Sequence, residues 1–188
     1  MLACVKNKIV MVTGYSGSGK SEFSSMLRDE FDGTVVNVGD EMRVVAKNNG
    51  YGRLRDFFGA VGINESFSQS RPYILGAIHD KYSSGNVIVD GAYEQMLVEL
   101  VIGRFGRRNS FVVNVLADSL KRIERISGRA GLEIDGAREA SRRDAVKITA
   151  GINSVIEMSD FVVDNNGNTK NDLRLKSRQI AQCVLNER

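Results

Sequence analysis

The sequence has little of the chemistry that metal centres and disulfide frameworks need. It contains two cysteines, one histidine and one proline in 188 residues, and no tryptophan. Cys4 and Cys183 lie near opposite ends of the chain, and neither stands at metal-ligand spacing from His79. These counts argue against a structural zinc site and against a histidine-dependent catalytic triad. Two unpatterned cysteines are typical of proteins in a reducing compartment.

Long apolar runs and a strong charge imbalance are also absent from the sequence. No run has the length needed to cross a bilayer, and no secretory leader precedes the first apolar segment. Hydrophobic residues make up 42% and charged residues 26%, which is ordinary for a globular domain and argues against disorder. The net charge of +3 is modest, so nucleic acid is not the favoured partner. We expect one cytoplasmic domain, residues 1–188, without a membrane partner.

Short apolar segments alternate with segments of helical periodicity along the chain. Apolar strands separated by helices indicate a parallel sheet that is covered on both faces. The predicted fold is therefore α/β, a three-layer α/β/α sandwich with a five-stranded parallel sheet. The strands are predicted at 8–13, 34–38, 86–90, 110–116 and 160–164, and the helices at 20–31, 40–49, 67–83, 93–103, 118–128, 138–158 and 170–186.

The eight residues GYSGSGKS lie between the first predicted strand and an amphipathic helix. They match the phosphate-loop pattern G-x-x-x-x-G-K-S/T in the strand–loop–helix context that the pattern requires. The glycines allow backbone N–H groups to point at a phosphate, and the helix N-terminus adds its positive dipole. The sequence therefore predicts ATP and Mg²⁺ as cofactors, with Lys20 on the β- and γ-phosphates and Ser21 on the metal. The predicted nucleotide contacts in this loop are Gly14, Tyr15, Ser16, Gly17, Ser18, Gly19, Lys20 and Ser21.

Charged residues follow the second and third predicted strands, where ligands of open α/β sheets bind. Asp40 fits two compatible roles, the N-cap of the next helix and a carboxylate that faces Mg²⁺ or the accepting oxygen of a second substrate. Arg43, one turn further on, is predicted to bind a substrate phosphate. Asp90 ends the apolar run VIVD, a Walker B pattern that predicts a Mg²⁺ ligand close to the substrate.

An arginine-rich segment follows the fourth predicted strand. Arg122, Arg125 and Arg129 share one helix face, and Arg142 follows after a glycine-containing stretch. An exposed basic stripe is the plain interpretation of this pattern. We favour a small helical lid, at about 125–145, that excludes water and neutralises transition-state charge. Arg125 and Arg129 are then predicted to be catalytic and Arg142 to contact the substrate.

These motifs resemble those of P-loop nucleoside-monophosphate-kinase-like proteins. GDEMR after the second strand looks like the GD-x-x-R element of adenylate kinases, and IVDG looks like the end of their third strand. Residues 141–167 resemble the RRD-x-x-E…GIG-x-x-I-x-x-ADY-x-x-x-N ending of an archaeal adenylate-kinase-related group near the dephospho-CoA kinases, and GYSGSGKSEF resembles that group's GMPGSGKSEF. The resemblance extends from about residue 8 to 167 and is weak across 50–85.

The resemblance implies the strand order 2-3-1-4-5 and a nucleotide-kinase-type P-loop fold. It implies that Arg43 meets the acceptor's phosphate and that an insertion at about 40–85 forms the acceptor pocket. It also implies that the segment Asn165, Asn166 and Gly167 lies near the adenine. The family usually carries an arginine three or four residues after its third-strand Asp-Gly pair, where this chain has Tyr93 and Glu94, so one clamp on an acceptor phosphate is absent.

The sequence leaves several functions open. The leading hypothesis is an enzyme that moves the γ-phosphoryl group of ATP to a nucleoside monophosphate or a related small phosphometabolite. In a dephospho-CoA-kinase-like variant the acceptor is a sugar hydroxyl, and Asp40 is a general base. In a third hypothesis the chain is a nucleotide-binding regulator or an RNA-associated ATPase. A purely structural domain would leave Lys20 and Ser21 without a role.

Overall fold

The computed structural model of the chain describes residues 7–130, 136–167 and 169–187, without the side chains of residues 129 and 130. In these residues five strands form one parallel sheet in the order β2-β3-β1-β4-β5. The α/β class, the parallel sheet and the strand order implied by the resemblance are therefore confirmed. The strands are β1 (Ile9–Thr13), β2 (Gly33–Asn37), β3 (Asn86–Asp90), β4 (Ser110–Leu116) and β5 (Phe161–Asp164).

Helices pack on both faces of the sheet and enclose two apolar cores. Ile9 and Met11 of β1 face one core, and Val10 and Val12 face the other. None of these four side chains has exposed surface, which explains why the strand shows no polar alternation. The helices are α1 (Lys20–Phe31), α2 (Val38–Asn48), α3 (Leu54–Val61), α4 (Ile63–Tyr82), α5 (Gln95–Phe105), α6 (Ser119–Ala130), α7 (Gly136–Ala150), α8 (Ile152–Glu157) and α9 (Lys170–Asn186).

The differences from the sequence prediction include one unpredicted helix, one divided helix and one shortened strand. The short helix α3 lies in a segment without a predicted helix, and its Phe57 is buried against Val45 of α2. The single helix predicted at 138–158 is divided into α7 and α8 at Gly151, whose φ of +99° interrupts the helix. The strand predicted at 34–38 ends at Asn37, because Val38 already begins α2.

The predicted insertion and lid correspond to identifiable helices. The helices α2, α3 and α4 occupy most of the predicted acceptor insertion, and α6 and α7 contribute to the predicted lid. Residues 131–135 and the side chain of the predicted catalytic residue Arg129 lie outside the described residues. The division into a kinase domain, an insertion and a lid stays a prediction. Within the described chain, no helix is both long enough and apolar enough to cross a membrane.

Candidate active site

The phosphate loop connects β1 to α1 at the carboxyl edge of the sheet. Its glycines adopt positive φ angles of 144° at Gly14, 79° at Gly17 and 96° at Gly19. A Cβ atom at Gly17 would lie 2.5 Å from the carbonyl oxygen of Arg122, so neither the backbone angle nor the space accepts a side chain. Lys20 is the first residue of α1, and the helix N-terminus therefore faces the ligand side of the loop.

Two arginines of α6 hold the phosphate loop by its carbonyl groups. Arg122 donates to the Ser16 carbonyl at 3.1 Å, and its guanidinium lies 5.2 Å from the centroid of the Tyr15 ring. Arg125 donates to the carbonyls of Gly17 and Ser18, each at 3.3 Å. Because these carbonyl groups are bound from the α6 side, the contacts fix the shape of the loop. Their geometry suits a positioning role for Arg125, and its predicted catalytic role stays a prediction.

Asn165 connects the phosphate loop to the end of β5. Its side-chain amide donates to the Ser18 carbonyl at 2.8 Å, and its own carbonyl accepts from Arg125 at 2.8 Å. Asn165 and Arg125 line a recess together with Gly19 and Leu173. This recess is the part of the structure that corresponds to the predicted adenine contact.

The other two residues predicted near the adenine lie in the turn after Asn165. The Asn166 side chain accepts a hydrogen bond from the Asp118 N–H at 2.6 Å and donates to the Asp118 carboxylate at 3.2 Å. Gly167 has a φ of +80°. Asn166 therefore joins the turn to the segment that precedes α6, and its contact with a base stays a prediction.

Asp90 and Ser21 fit the requirements of a magnesium site. Asp90 is 4% exposed at the end of β3, and its Oδ2 accepts from the Asn37 side chain at 2.9 Å. Its Oδ1 is buried without a hydrogen-bond partner among the described residues. Asp90 lines the same cleft as Ser21 and Lys20. Mg²⁺ usually takes one or two protein oxygens and fills its other positions with water and phosphate oxygens. The described residues contain no cluster of three or more acidic, histidine or cysteine ligands, and Mg²⁺ does not need one.

Asp40 and Arg43 form an exposed ion pair at the mouth of the cleft. Their side chains are 70% and 63% exposed, and the Arg43 guanidinium donates to the Asp40 carboxylate. The expectation that Asp40 caps α2 is wrong. The N-cap is Asn37, whose side-chain oxygen accepts from the Asp40 N–H at 3.1 Å, so Asp40 lies within the first helical turn.

A residue that the sequence analysis did not select, Lys147 of α7, reaches into the phosphate loop. It is 7% exposed, and its ammonium group lies 2.9 Å from the Ser16 hydroxyl and 3.4 Å from the Gly14 carbonyl oxygen. Burial and the neighbouring Lys20 lower the pKa of Lys147 to about 6. A signal was available in the sequence, because position 147 holds a lysine where the RRD-x-x-E pattern carries a glutamate.

The cleft in front of the loop has a volume of about 430 Å³ and a strongly basic lining. Arginines from three helices contribute to the lining, together with apolar side chains of α3. Arg142 and Arg143 both donate to Glu139, and these bonds lower the pKa of Glu139 to about 2. These arginine and apolar residues are Arg43, Arg55, Arg142, Arg143, Leu54 and Phe58.

Comparison with known families and structures agrees with this geometry. The family model described as an AAA domain matches residues 13–130. The chain belongs to this AAA domain family. The UPF0200 protein MK0400 of Methanopyrus kandleri is 29% identical over 181 residues, which cover 94% of this chain and 90% of that protein. The UPF0200 protein SSO1041 of Saccharolobus solfataricus is 29% identical over 188 residues, with coverage of 95% and 94%.

Solved structures confirm the fold of this AAA domain. TT1252 from Thermus thermophilus has a TM-score of 0.66 at 17% identity, with 94% of this chain and 97% of that chain covered. Shikimate kinase from Acinetobacter baumannii, in complex with shikimate, has a TM-score of 0.61 at 16% identity, with 96% of both chains covered. The resemblance to P-loop kinase-like proteins is thus confirmed, and the chain is a P-loop kinase-like nucleotide-binding domain.

Proposed function

We propose that this domain transfers the γ-phosphoryl group of ATP, with Mg²⁺, to a small acceptor that carries an anionic group, such as a nucleoside monophosphate or a related phosphometabolite. The observation that carries this proposal is that one cleft is lined both by Lys20, Ser21 and Asp90 and by four arginines, Arg43, Arg55, Arg142 and Arg143. Arginine is the side chain best suited to bind phosphate oxygens in pairs, so the arginines of the cleft fit an anionic acceptor.

The residues of the phosphate loop, together with Asp90, would bind the donor. Lys20 and the N–H groups of the loop would bind the β- and γ-phosphates, and Ser21 and Asp90 would hold Mg²⁺ with its waters. The metal, when bound, neutralises charge that develops on the phosphoryl oxygens. Asn165 and Arg125 would border the base. Catalysis in such a site consists chiefly of positioning and electrostatic stabilisation, which preorganised lysine and arginine side chains supply.

The exposed ion pair between Asp40 and Arg43 favours a phosphate acceptor over a hydroxyl acceptor. A general base must lie near the proton that it removes, whereas the Asp40 side chain is 70% exposed and one of its oxygens accepts from Arg43. The pair fits an arginine that binds the acceptor's phosphate and a carboxylate that orients the arginine. The dephospho-CoA-kinase-like alternative predicts that Asp40→Asn costs about a hundredfold or more in turnover, as loss of a general base does.

The test is an ADP-release assay with ATP·Mg²⁺ and a panel of acceptors. The panel contains nucleoside monophosphates, dephospho-CoA and water, and the variants are Lys20→Ala and Asp40→Asn. Lys121→Ala is the matched control, because Lys121 lies on the exposed face of α6 with Glu124, 3.9 Å away, as its ion-pair partner. We expect ADP release that depends on one acceptor class, is abolished by Lys20→Ala and survives Lys121→Ala. Slow release at the same rate with every acceptor, water included, would refute the proposal.

A further inference from the structure

Lys147 occupies an unusual position for a surface-helix lysine. It is contributed by α7, 131 residues away in sequence from the loop serine that it contacts, and it is almost entirely buried. Its ammonium group lies 5.6 Å from the centroid of the Tyr93 ring, on the side of the cleft that also contains Lys20. Its two oxygen partners are the Ser16 hydroxyl and the Gly14 carbonyl, both within the phosphate loop.

The helix that carries Lys147 is fixed to the loop by a second residue. Asp144, one turn earlier on α7, accepts from the Ser16 N–H at 3.0 Å and from Arg122 at 2.5 Å. Arg122 in turn donates to the Ser16 carbonyl, so Asp144 and Arg122 fix Ser16 through both its N–H and its carbonyl group. The position of Lys147 therefore follows from specific docking of α7 on the loop, and is more than the end point of a long flexible side chain.

The charges around Lys147 favour an anion. Lys20 of α1 and Arg122 of α6 face it with like charge, and Asp144 on its own helix is the carboxylate that offsets them. Tyr93, from the turn before α5, contributes an aromatic ring. Two lysines and an arginine that converge on a phosphate loop repel one another until an anion enters. The lowered pKa of Lys147 is the consequence of this crowding and of burial.

We propose that Lys147 is a second phosphate-binding lysine of this site, which contacts the terminal phosphoryl group of a bound nucleoside triphosphate. In the structure its oxygen partners are Ser16 and Gly14. When the triphosphate enters, phosphate oxygens replace these neutral partners, and the lysine takes up a proton wherever it was neutral. The inference rests on the proposed function only in taking a nucleoside triphosphate as the ligand. The other interpretation of the same contacts is that the Lys147 side chain occupies the phosphate site and competes with the phosphates for the loop. We call this alternative a plug.

The experiment compares nucleotide affinities by calorimetry at pH 6 and pH 8, with Mg²⁺ and either ADP or the non-hydrolysable β,γ-imido analogue of ATP. The variants are Lys147→Met, which keeps the length and removes the charge, Lys147→Arg, which keeps the charge, and the control Lys121→Met. Thermal unfolding of each variant verifies that it folds. For Lys147→Met we expect affinity for the analogue to fall by about tenfold to a hundredfold at pH 6, the effect of one charge-assisted hydrogen bond.

The expected pattern distinguishes a phosphate ligand from a plug. The loss of affinity in Lys147→Met should be smaller for ADP than for the analogue, because ADP lacks the terminal phosphoryl group. The loss should also be smaller at pH 8 than at pH 6, because protonation of the lysine becomes more costly as pH rises. Lys147→Arg should keep most of the affinity, and Lys121→Met should bind as the unmodified protein does. A Lys147→Met variant that binds the analogue equally well or more tightly at both pH values would overturn the inference.

The failure of this inference and that of the proposed function are distinguishable. A loss of analogue affinity in Lys147→Met, without acceptor-dependent ADP release by the unmodified protein, would sustain the phosphate role and refute the kinase. Acceptor-dependent ADP release that Lys147→Met leaves unchanged, together with unchanged analogue affinity, would sustain the kinase and refute the role of Lys147.

Discussion

Replacing Lys147 by methionine should stabilise the nucleotide-free protein, by an amount that depends on pH. Burial and the neighbouring Lys20 disfavour the ammonium form of Lys147 in the folded protein, where its pKa is about 6, compared with its ordinary value of 10.5 in the unfolded chain. Between these two values the unfolded chain binds more protons than the folded one. The free energy of unfolding of the unmodified protein therefore rises with pH across this range and carries the full penalty below about pH 6.

The size of the effect follows from linkage. One lysine contributes a slope of at most about 1.4 kcal/mol per pH unit within this range. Methionine does not titrate, so the advantage of Lys147→Met should shrink by up to about 2.7 kcal/mol between pH 6.5 and pH 8.5. Asp144 keeps its bonds from Ser16 and Arg122 in the variant, so the substitution leaves no unpaired buried carboxylate.

The assay is urea unfolding at constant ionic strength and without nucleotide, at pH 6.5, 7.5 and 8.5. Subtracting the free energies of unfolding of the two proteins at each pH cancels every group that titrates alike in both. Lys121→Met serves as the control and should show no change in this difference with pH. Parallel curves for Lys147→Met and the unmodified protein would show that Lys147 stays charged and solvated in the folded state, and the reasoning from burial would be refuted.

Two further predictions concern the donor site. Asp90→Asn should keep the contact with Asn37 but raise the Mg²⁺ concentration needed for half-maximal turnover by about 10–100-fold. The reason is that the substitution removes the charge of the unpartnered buried oxygen. A titration of the rate with Mg²⁺ measures the change. Gly17→Ala should lose about 1–3 kcal/mol more stability than Gly50→Ala in urea unfolding. Both positions have positive φ, but nothing lies within 4 Å of a Cβ atom at Gly50.

Each of these predictions has an opposite outcome that would contradict it. A normal Mg²⁺ requirement in Asp90→Asn would remove this carboxylate from the metal site. Equal destabilisation by Gly17→Ala and Gly50→Ala would mean that the positive φ angle alone explains why position 17 holds a glycine. The contact with Arg122 would then not restrict the loop.

The fold was predictable because its signals are local. The run Ile9–Thr13 is apolar without alternation, and burial on both faces of a central strand is the physical reason. The phosphate loop was predictable for the same reason, since all of its ligand groups lie within eight consecutive residues. The helix α3 was not predicted because it is short and has one fully buried side chain, Phe57, which packs in a small separate cluster.

The rest of the candidate site could not be predicted because it depends on tertiary contacts. The lysine in place of the pattern's glutamate distinguishes position 147, but the sequence does not indicate that α7 docks on the phosphate loop. The contact of Asp144 with Ser16 spans 128 residues. Periodicity correctly put Arg122 and Arg125 on one face of α6. It could not show that this face binds the carbonyl groups of the loop. Sequence patterns predict which groups are available, and the packing decides which way they face.

The two residues that replace the family's arginine after β3 bear on the choice of acceptor. Glu94 is used by the fold, because its carboxylate caps α5 at the Leu97 N–H and pairs with Arg71 at 3.1 Å. Burial raises the pKa of Glu94, and the pairing with Arg71 opposes that rise. An acidic group held in this way is a poor partner for an acceptor phosphate, whereas Arg43 and Arg142 line the cleft and suit that contact. In the proposed function, arginines of α2 and α7 would therefore bind the acceptor's anionic group, in place of an arginine after β3.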